Sequence, residues 1–157
     1  MIKLLTIFFL LVFDIITKKL VFNLIDLNTF YKITFFMDIA HIHNFGISFG
    51  LFAGLLPYWI IALIGLFISI IIILMIFSTN NNIEKWGLTI IFAGAISNIL
   101  DRMMNGYVID FIYLSYNNLY WPTFNLADIY ITIGILIIIF EFILSFNKKR
   151  IKNNEID

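Results

Sequence analysis

The chain has 157 residues, of which 62% are hydrophobic and 13% are charged, and its mean hydropathy is +1.00. Soluble domains carry about 25% charged residues, so this composition excludes an ordinary water-soluble domain and is typical of a membrane protein. The formal net charge of +0 gives no overall field that would attract a nucleic acid. The absence of cysteine excludes disulfides, thiol catalysis and cysteine-ligated metal.

Four segments are apolar and long enough to cross a hydrocarbon core of about 30 Å. They predict transmembrane helices at approximately 4–25, 57–77, 86–104 and 126–146. The second of them carries no charge, whereas the first contains Asp14, Lys18 and Lys19. The length suits one unit, and we therefore predict a single polytopic membrane domain over residues 1–157. Its predicted class is all-α, with four transmembrane helices and a small extracytoplasmic β-cradle.

The distribution of lysine and arginine predicts the orientation of the chain. The tail NKKRIK, residues 147–152, is the strongest basic cluster, and Lys3 and Lys85 fall on the same side if the helix count is even. Both termini are therefore expected in the cytoplasm. The start MIKLLTIFFLLVF is similar to a secretory signal, but no small-residue cleavage site follows, so a retained helix is expected.

The two outer segments, 26–56 and 105–124, do not have a helical pattern. Residues 29–52 and 107–124 are rich in aromatic and β-branched side chains with partial alternation, and Asn117-Asn118 is a turn signal. We expect short strands that lie at the membrane surface, where tyrosine and tryptophan are favoured.

Ionisable residues inside the predicted helices need a physical reason, because a charge in the bilayer costs several kcal/mol unless it is paired or hydrated. Asp14 and Lys18 are spaced i, i+4, share a helix face and can neutralise each other. A structural pair is favoured here over direct chemistry. Gly94, Asn98, Asp101 and Arg102 form a polar stripe on the third helix, which fits a buried hydrogen-bond network as well as a substrate-binding surface.

A pair of aspartates is expected at the outer boundary of the membrane. Asp110 follows the third helix past Gly106, and Asp128 begins the fourth helix after Asn125. Two carboxylates at one poorly solvated depth share a single proton, which is the arrangement used by aspartic proteases. From spacing alone, helix caps or surface aspartates explain the same residues at least as well.

Other catalytic patterns are weaker. His41 and His43 share a strand face, but two histidines without nearby cysteine or glutamate make a poor zinc site. Lys18 with Ser48 or Ser97 suggests a Ser-Lys hydrolase, although a small residue in a helix interior more often serves packing. No metal or cofactor is predicted.

Five blocks together resemble bacterial lipoprotein signal peptidase, the signal peptidase II family. They match in order and with family-like spacing: FDIITKK (13–19), HNFGISFGLF (43–52), AGAISNILDRM (93–103), YVIDFI (107–112) and FNLAD (124–128). Ala93 and Ser97 stand where the family often has glycine, which exchanges one small residue for another.

The resemblance implies a membrane aspartic endopeptidase that cleaves the signal peptide from prolipoproteins just before the diacylglyceryl-modified cysteine. It implies Asp110 and Asp128 as the catalytic dyad, and Asp14, Lys18 and Gly94 as structural residues. It also implies a set of substrate-binding or supporting residues: Asn44, Gly46, Asn98, Asp101, Arg102 and Asn125. The implied partners are diacylglyceryl prolipoproteins, membrane lipids and globomycin-type inhibitors, with a monomeric enzyme in the bacterial inner membrane.

Two other functions fit the composition. A small proton-coupled transporter would use the buried aspartate, asparagine and arginine as an ion path, but these groups gather at one membrane face and the second helix has no polar relay. A non-catalytic assembly protein of a larger membrane complex would tolerate loss of both aspartates.

Overall fold

The structure is a computed structural model that describes residues 1–47, 51–117 and 119–154, with the backbone alone for 149–154. The described residues form four long helices and a four-stranded sheet, whose strands lie in pairs between the helices along the chain. In order they are α1 (Ile2–Leu24), β1 (Phe30–Lys32), β2 (Met37–Asn44), α2 (Tyr58–Ser78), α3 (Asn82–Asn105), β3 (Val108–Tyr116), β4 (Leu119–Phe124) and α4 (Leu126–Asn154).

The start of α3 and the end of α4 differ from the prediction. α3 begins several residues earlier than expected, because the side chain of Asn81 accepts hydrogen bonds from the backbone of Ile83 and Glu84 and caps a polar first turn. An apolar run cannot reveal such a turn. α3 ends at Asn105 and is followed by Gly106, whose φ of 83° is the left-handed conformation that glycine favours. α4 continues past the apolar stretch as far as Asn154.

Three helices have the length and hydropathy of membrane spans, namely α2, α3 and α4 over Leu126–Lys148. α1 is not among them, because every stretch of 18 residues within it contains the three charged residues Asp14, Lys18 and Lys19. The prediction of four transmembrane helices is thus confirmed for three. The all-α class is not confirmed, because a sheet of four strands is an integral part of the fold.

The sheet confirms the strand reading of both outer segments. Its order is β1-β2-β3-β4 and each neighbouring pair is antiparallel. β3 and β4 form a hairpin in which Asn117 has a φ of 45°, while its predicted turn partner Asn118 lies outside the described residues. The register sets Ile42 opposite Asp110 in the central strand pair. The aspartate therefore lies in a paired strand rather than in a loose loop.

α3 is the central helix and packs against α1, α2 and α4. α3 and α4 approach closely at Gly94, where an added Cβ would collide with the carbonyl oxygen of Ala127. Few side chains are buried, and large apolar side chains are exposed along α1, α2 and α4. This inverted pattern suits helices whose outer faces contact lipid.

Candidate active site

Asp110 and Asp128 meet at the junction of the sheet and the helices. Asp110 lies in β3 and is 2% exposed, and Asp128 lies in the first turn of α4. Both line one cavity of about 210 Å³ between the helices. The sequence prediction that the two carboxylates share one depth therefore agrees with their positions, while their catalytic role stays a prediction.

Asn125 connects the two aspartates. It is fully buried, and its side-chain amide donates to Asp110 Oδ1 at 2.7 Å. Its Oδ1 accepts from the backbone N–H of Asp128 at 3.1 Å, and its own backbone N–H donates to Asp128 Oδ2 at 3.2 Å. This reciprocal pair is a capping box at the start of α4. One asparagine thus fixes the helix terminus and both carboxylates.

A second amide holds each aspartate from the other side. Asn44 Nδ2 donates to Asp110 Oδ2 at 2.8 Å, and Asn98 Nδ2 donates to Asp128 Oδ1 at 2.9 Å. All four carboxylate oxygens accordingly accept at least one hydrogen bond.

Asp110 differs from an ordinary carboxyl group in its proton affinity. Burial, and secondly the neighbouring charge of Asp128, raise the pKa of Asp110 to about 7. The hydrogen bonds from Asn44 and Asn125 and the charge of Lys18 oppose that rise. At neutral pH the Asp110 carboxyl group is therefore available in both its protonated and its ionised form.

Lys18 is the centre of a buried charge network below the aspartates. It is 2% exposed, and its Nζ lies 2.6 Å from Asp14 Oδ2, 2.7 Å from Asp101 Oδ2 and 3.0 Å from Asn98 Oδ1. The Asp14–Lys18 pairing expected from the sequence is confirmed. Asp101 pairs with Lys18 and not with the adjacent Arg102, because successive helical side chains point about 100° apart.

Arg102 links α3 to the loop after β2. Its guanidinium donates to the backbone oxygens of Asn98 at 3.0 Å and Gly46 at 2.7 Å. Gly46 also donates its N–H to Asn44 Oδ1 at 2.9 Å, so the loop orients the amide that holds Asp110. Arg102 Nε is buried without a hydrogen-bond partner among the described residues, and Arg102 lines the cavity beside both aspartates.

Sequence reasoning overlooked two anchoring contacts at Asp14. Asp14 Oδ1 accepts from the backbone N–H of Ala127 at 3.0 Å, and Asp14 Oδ2 accepts from Ser97 Oγ at 2.6 Å. A backbone donor leaves no trace in residue types, although its place in the FNLAD block offered an indirect signal. The sequence context of Ser97 indicates a packing residue or a nucleophile, not this contact. Ser97 donates its hydroxyl hydrogen to Asp14, and Lys18 is held between Asp14 and Asp101, so these contacts do not form a Ser-Lys pair. Ser48 lies outside the described residues.

The two histidines form a hydrogen-bonded pair at the other side of Asn44. His41 Nδ1 lies 2.8 Å from the carbonyl oxygen of Ile25, which can only accept, so this nitrogen carries a proton. The Nε2 atoms of His41 and His43 are 3.1 Å apart. In the neutral pair His43 Nε2 is therefore the donor. Within the described ranges no group of three potential metal ligands includes them.

The comparisons with known sequences agree on one family. The family model described as signal peptidase (SPase) II matches residues 6–144. A lipoprotein signal peptidase of Thermodesulfovibrio yellowstonii is 37% identical over 137 residues, covering 87% of this chain and 90% of that protein. A lipoprotein signal peptidase of Pelagibacter ubique is 38% identical over 148 residues, covering 91% and 88%.

Two solved structures, each of a bacterial membrane enzyme studied by the in meso method, share the fold. One has a TM-score of 0.86 and 26% sequence identity, and it covers 94% of this chain and 90% of its own. The other has a TM-score of 0.77 and 27% identity, with 89% and 91% covered.

Proposed function

The chain belongs to the signal peptidase II family, and on that premise we propose that Asp110 and Asp128 cleave the signal peptide of prolipoproteins just before a diacylglyceryl-modified cysteine. The general activity, that of a membrane aspartic peptidase acting on prolipoproteins, follows from membership of the family. The observation that supports this assignment of the dyad is the shared cavity in which both carboxylates, bridged by Asn125, face the same space.

The proposed chemistry is general acid–base attack by water. Asp128 as carboxylate takes a proton from water while the oxygen forms a bond to the scissile carbonyl carbon. Asp110, whose pKa near 7 keeps its proton available, donates that proton to the carbonyl oxygen. When the tetrahedral intermediate collapses, the C–N bond breaks and the amine nitrogen gains the proton that Asp128 holds. At the same time Asp110 takes a proton back from a hydroxyl group of the intermediate, as the carbonyl bond of the new carboxyl group forms. The dyad returns to its single-proton state.

The remaining polar residues serve the dyad in two ways. Asn44, Asn98 and Asn125 hold the carboxylates, and Gly46 orients Asn44. Arg102 lines the same cavity and places a positive charge beside the dyad.

Deeper in the fold the proposed roles are structural. Asp14, Lys18 and Asp101 neutralise one another beneath the site. Gly94 allows α3 to lie close enough to α4 for Asn98 to reach Asp128.

We propose that α1 is the fourth membrane span of one polytopic unit. Its 23 helical residues are about 35 Å long, enough for the hydrocarbon core. The charges of Asp14 and Lys18, which lower its hydropathy, are buried and paired rather than exposed to lipid. With four spans the termini share one side, the cytoplasm, and the site faces the outside of a bacterial inner membrane. We expect the enzyme to be a monomer in direct contact with membrane lipids. We also expect globomycin-type inhibitors to bind at the dyad.

The test is cleavage of a synthetic diacylglyceryl prolipoprotein by purified protein in detergent. Asp110→Asn and Asp128→Asn each remove one acid–base group and should lower the rate by roughly 10²–10⁴-fold, the usual contribution of such a group. Asp26→Asn is the matched control, because Asp26 is exposed and lies outside the cavity. Normal cleavage by either dyad variant would disprove the assignment of the dyad. If the wild-type protein cleaved no substrate but drove proton-coupled uptake into vesicles, the transporter function would be favoured.

A further inference from the structure

A second cavity meets the first at Asp110. It has a volume of about 290 Å³ and is lined on the sheet side by Ile42, His43, Pro122 and Thr123, among other residues. The two cavities have in common Asn44 and Asp110 among their lining residues. Asp110 therefore lies where the two cavities adjoin and contributes to the wall of each.

The two cavities differ in direction and in wall. The first follows α2 from Ile61 to Ile72, about 16 Å along the helix axis, and isoleucines dominate its lining. The second is formed by β2, β4 and the loop after β2, on the side of the sheet. A substrate chain that runs past Asp110 in an extended conformation would have one part among the helices, which suits apolar side chains, and the following part against the strands.

We propose that the second cavity is the subsite for the mature side of the substrate, the residues that directly follow the lipidated cysteine. This rests on the proposed function, because it requires a prolipoprotein bound across Asp110. The apolar signal segment suits the helix-lined cavity, which extends into the membrane, and the residues after the cysteine must leave in the opposite direction. The sheet cavity lies on that path.

The walls of this subsite predict selection by size. His43 is held by the hydrogen bond to His41, and its ring stacks on Tyr107 with centroids 3.6 Å apart and 15° between the planes. Ile42 is fixed in a paired strand opposite Asp110. Rigid walls discriminate between substrates that differ in bulk by about 1–3 kcal/mol, or 10–200-fold. A small residue after the cysteine should be favoured over a bulky one.

The experiment compares two diacylglyceryl lipopeptides that differ only in the residue after the cysteine, glycine or tryptophan. The measured quantity is the ratio of their kcat/KM values. Because a defect in folding or catalysis affects both peptides alike, the ratio isolates the subsite. We expect the wild-type enzyme to prefer glycine by about tenfold.

Two variants should move this ratio in opposite directions. Pro122→Trp, on an exposed edge strand, narrows the cavity and should raise the glycine preference about tenfold further. Ile42→Ala widens the cavity and should bring the ratio toward one. Leu119→Trp is the matched control, since Leu119 is 75% exposed on the same strand as Pro122 and lines neither cavity.

The outcomes separate this inference from the proposed function. If the ratio is the same in all four enzymes, the sheet cavity does not hold the mature side and the inference fails. If Leu119→Trp moves the ratio as far as Pro122→Trp, the effect belongs to the strand and the inference also fails. If the wild type cleaves neither peptide, the proposed function itself is wrong. As a control, a second pair of peptides differs only in the residue before the cysteine. The ratio of their kcat/KM values should be the same in the wild type and in the three variants.

Discussion

Asp110 is expected to make folding less favourable as the pH rises. Its pKa is raised by burial and then by Asp128 to about 7, from the ordinary value of 3.8. Below pH 3.8 the carboxyl group is protonated in both the folded and unfolded states, so Asp110 does not lower the free energy of unfolding there. Between pH 3.8 and 7 the unfolded chain ionises first, and stability is lost until the folded pKa is passed. The proposed catalytic group is thus also a source of instability.

Asp110→Asn should therefore change the pH dependence of the melting temperature. Asparagine cannot ionise, so relative to wild type the variant should gain about 2.6 kcal/mol between pH 5 and pH 8, or several degrees. Asn44 or Asn125 loses an acceptor in this variant, and that cost is the same at every pH. Thermal melts in detergent at both pH values measure the difference, with Asp26→Asn beside them. Parallel curves for Asp110→Asn and wild type would contradict the raised pKa.

The sequence indicated which residues lie at the site better than it indicated which residues contact one another. Asp14 with Lys18 could be paired from an i, i+4 spacing, because both lie in one helix. Asp101 could not be paired with Lys18, since these residues are distant in sequence and depend on how α1 packs against α3. The bridge made by Asn125 likewise needs both the α4 terminus and β3 in place. Local spacing reveals contacts within one element, and contacts between elements need the fold.

At the scale of elements, the apolar helix interiors and the strands were predictable from hydropathy and side-chain pattern. The polar start of α3 was not, because its cap is a hydrogen-bond geometry at Asn81. The four-stranded pairing order was also beyond the sequence, since alternation identifies strands but does not say which strands are neighbours. The order found here sets β3 between β2 and β4, and this central position is what buries Asp110.

The α3–α4 contact at Gly94 should tolerate no added carbon. Gly94→Ala would set a Cβ against the backbone oxygen of Ala127, which cannot move without shifting α4. Overpacking of this kind costs about 1–3 kcal/mol, and separation of the helices would also weaken the bond from Asn98 to Asp128. We expect a lower melting temperature and a lower cleavage rate together.

Gly65→Ala is the comparison for this prediction. An added Cβ at Gly65 would meet the side-chain atoms Cγ1 and Cδ1 of Ile99, at 3.0 and 3.2 Å. A flexible side-chain end can move by a few tenths of an ångström at little cost, so a smaller loss of stability is expected. Equal losses for the two variants would mean that the backbone contact at Gly94 is not the limiting one.

For the whole molecule, the buried charge network and a group of basic residues lie at opposite ends of the helices. The network of Asp14, Lys18 and Asp101 lies within the helices next to the dyad. At the opposite end Lys3 of α1 donates to Asn82 of α3 at 3.0 Å and lies 5.1 Å from the ring centroid of Trp86. Since Lys3, Lys85 and the basic tail belong to this end, the positive-inside rule favours the cytoplasm for it, in line with the orientation proposed above.

The absence of cysteine from the sequence makes this orientation directly measurable. Leu119→Cys places a thiol at the tip of the β3–β4 hairpin, where Leu119 is 75% exposed, and Ile83→Cys places one in the first turn of α3, where Ile83 is 47% exposed. In intact spheroplasts a membrane-impermeant maleimide should label Leu119→Cys and should reach Ile83→Cys after permeabilisation alone. The reverse pattern would turn the dyad toward the cytoplasm, where an exported prolipoprotein could not present its cleavage site. Labelling of both without permeabilisation would mean that α2 and α3 do not separate these positions across a bilayer.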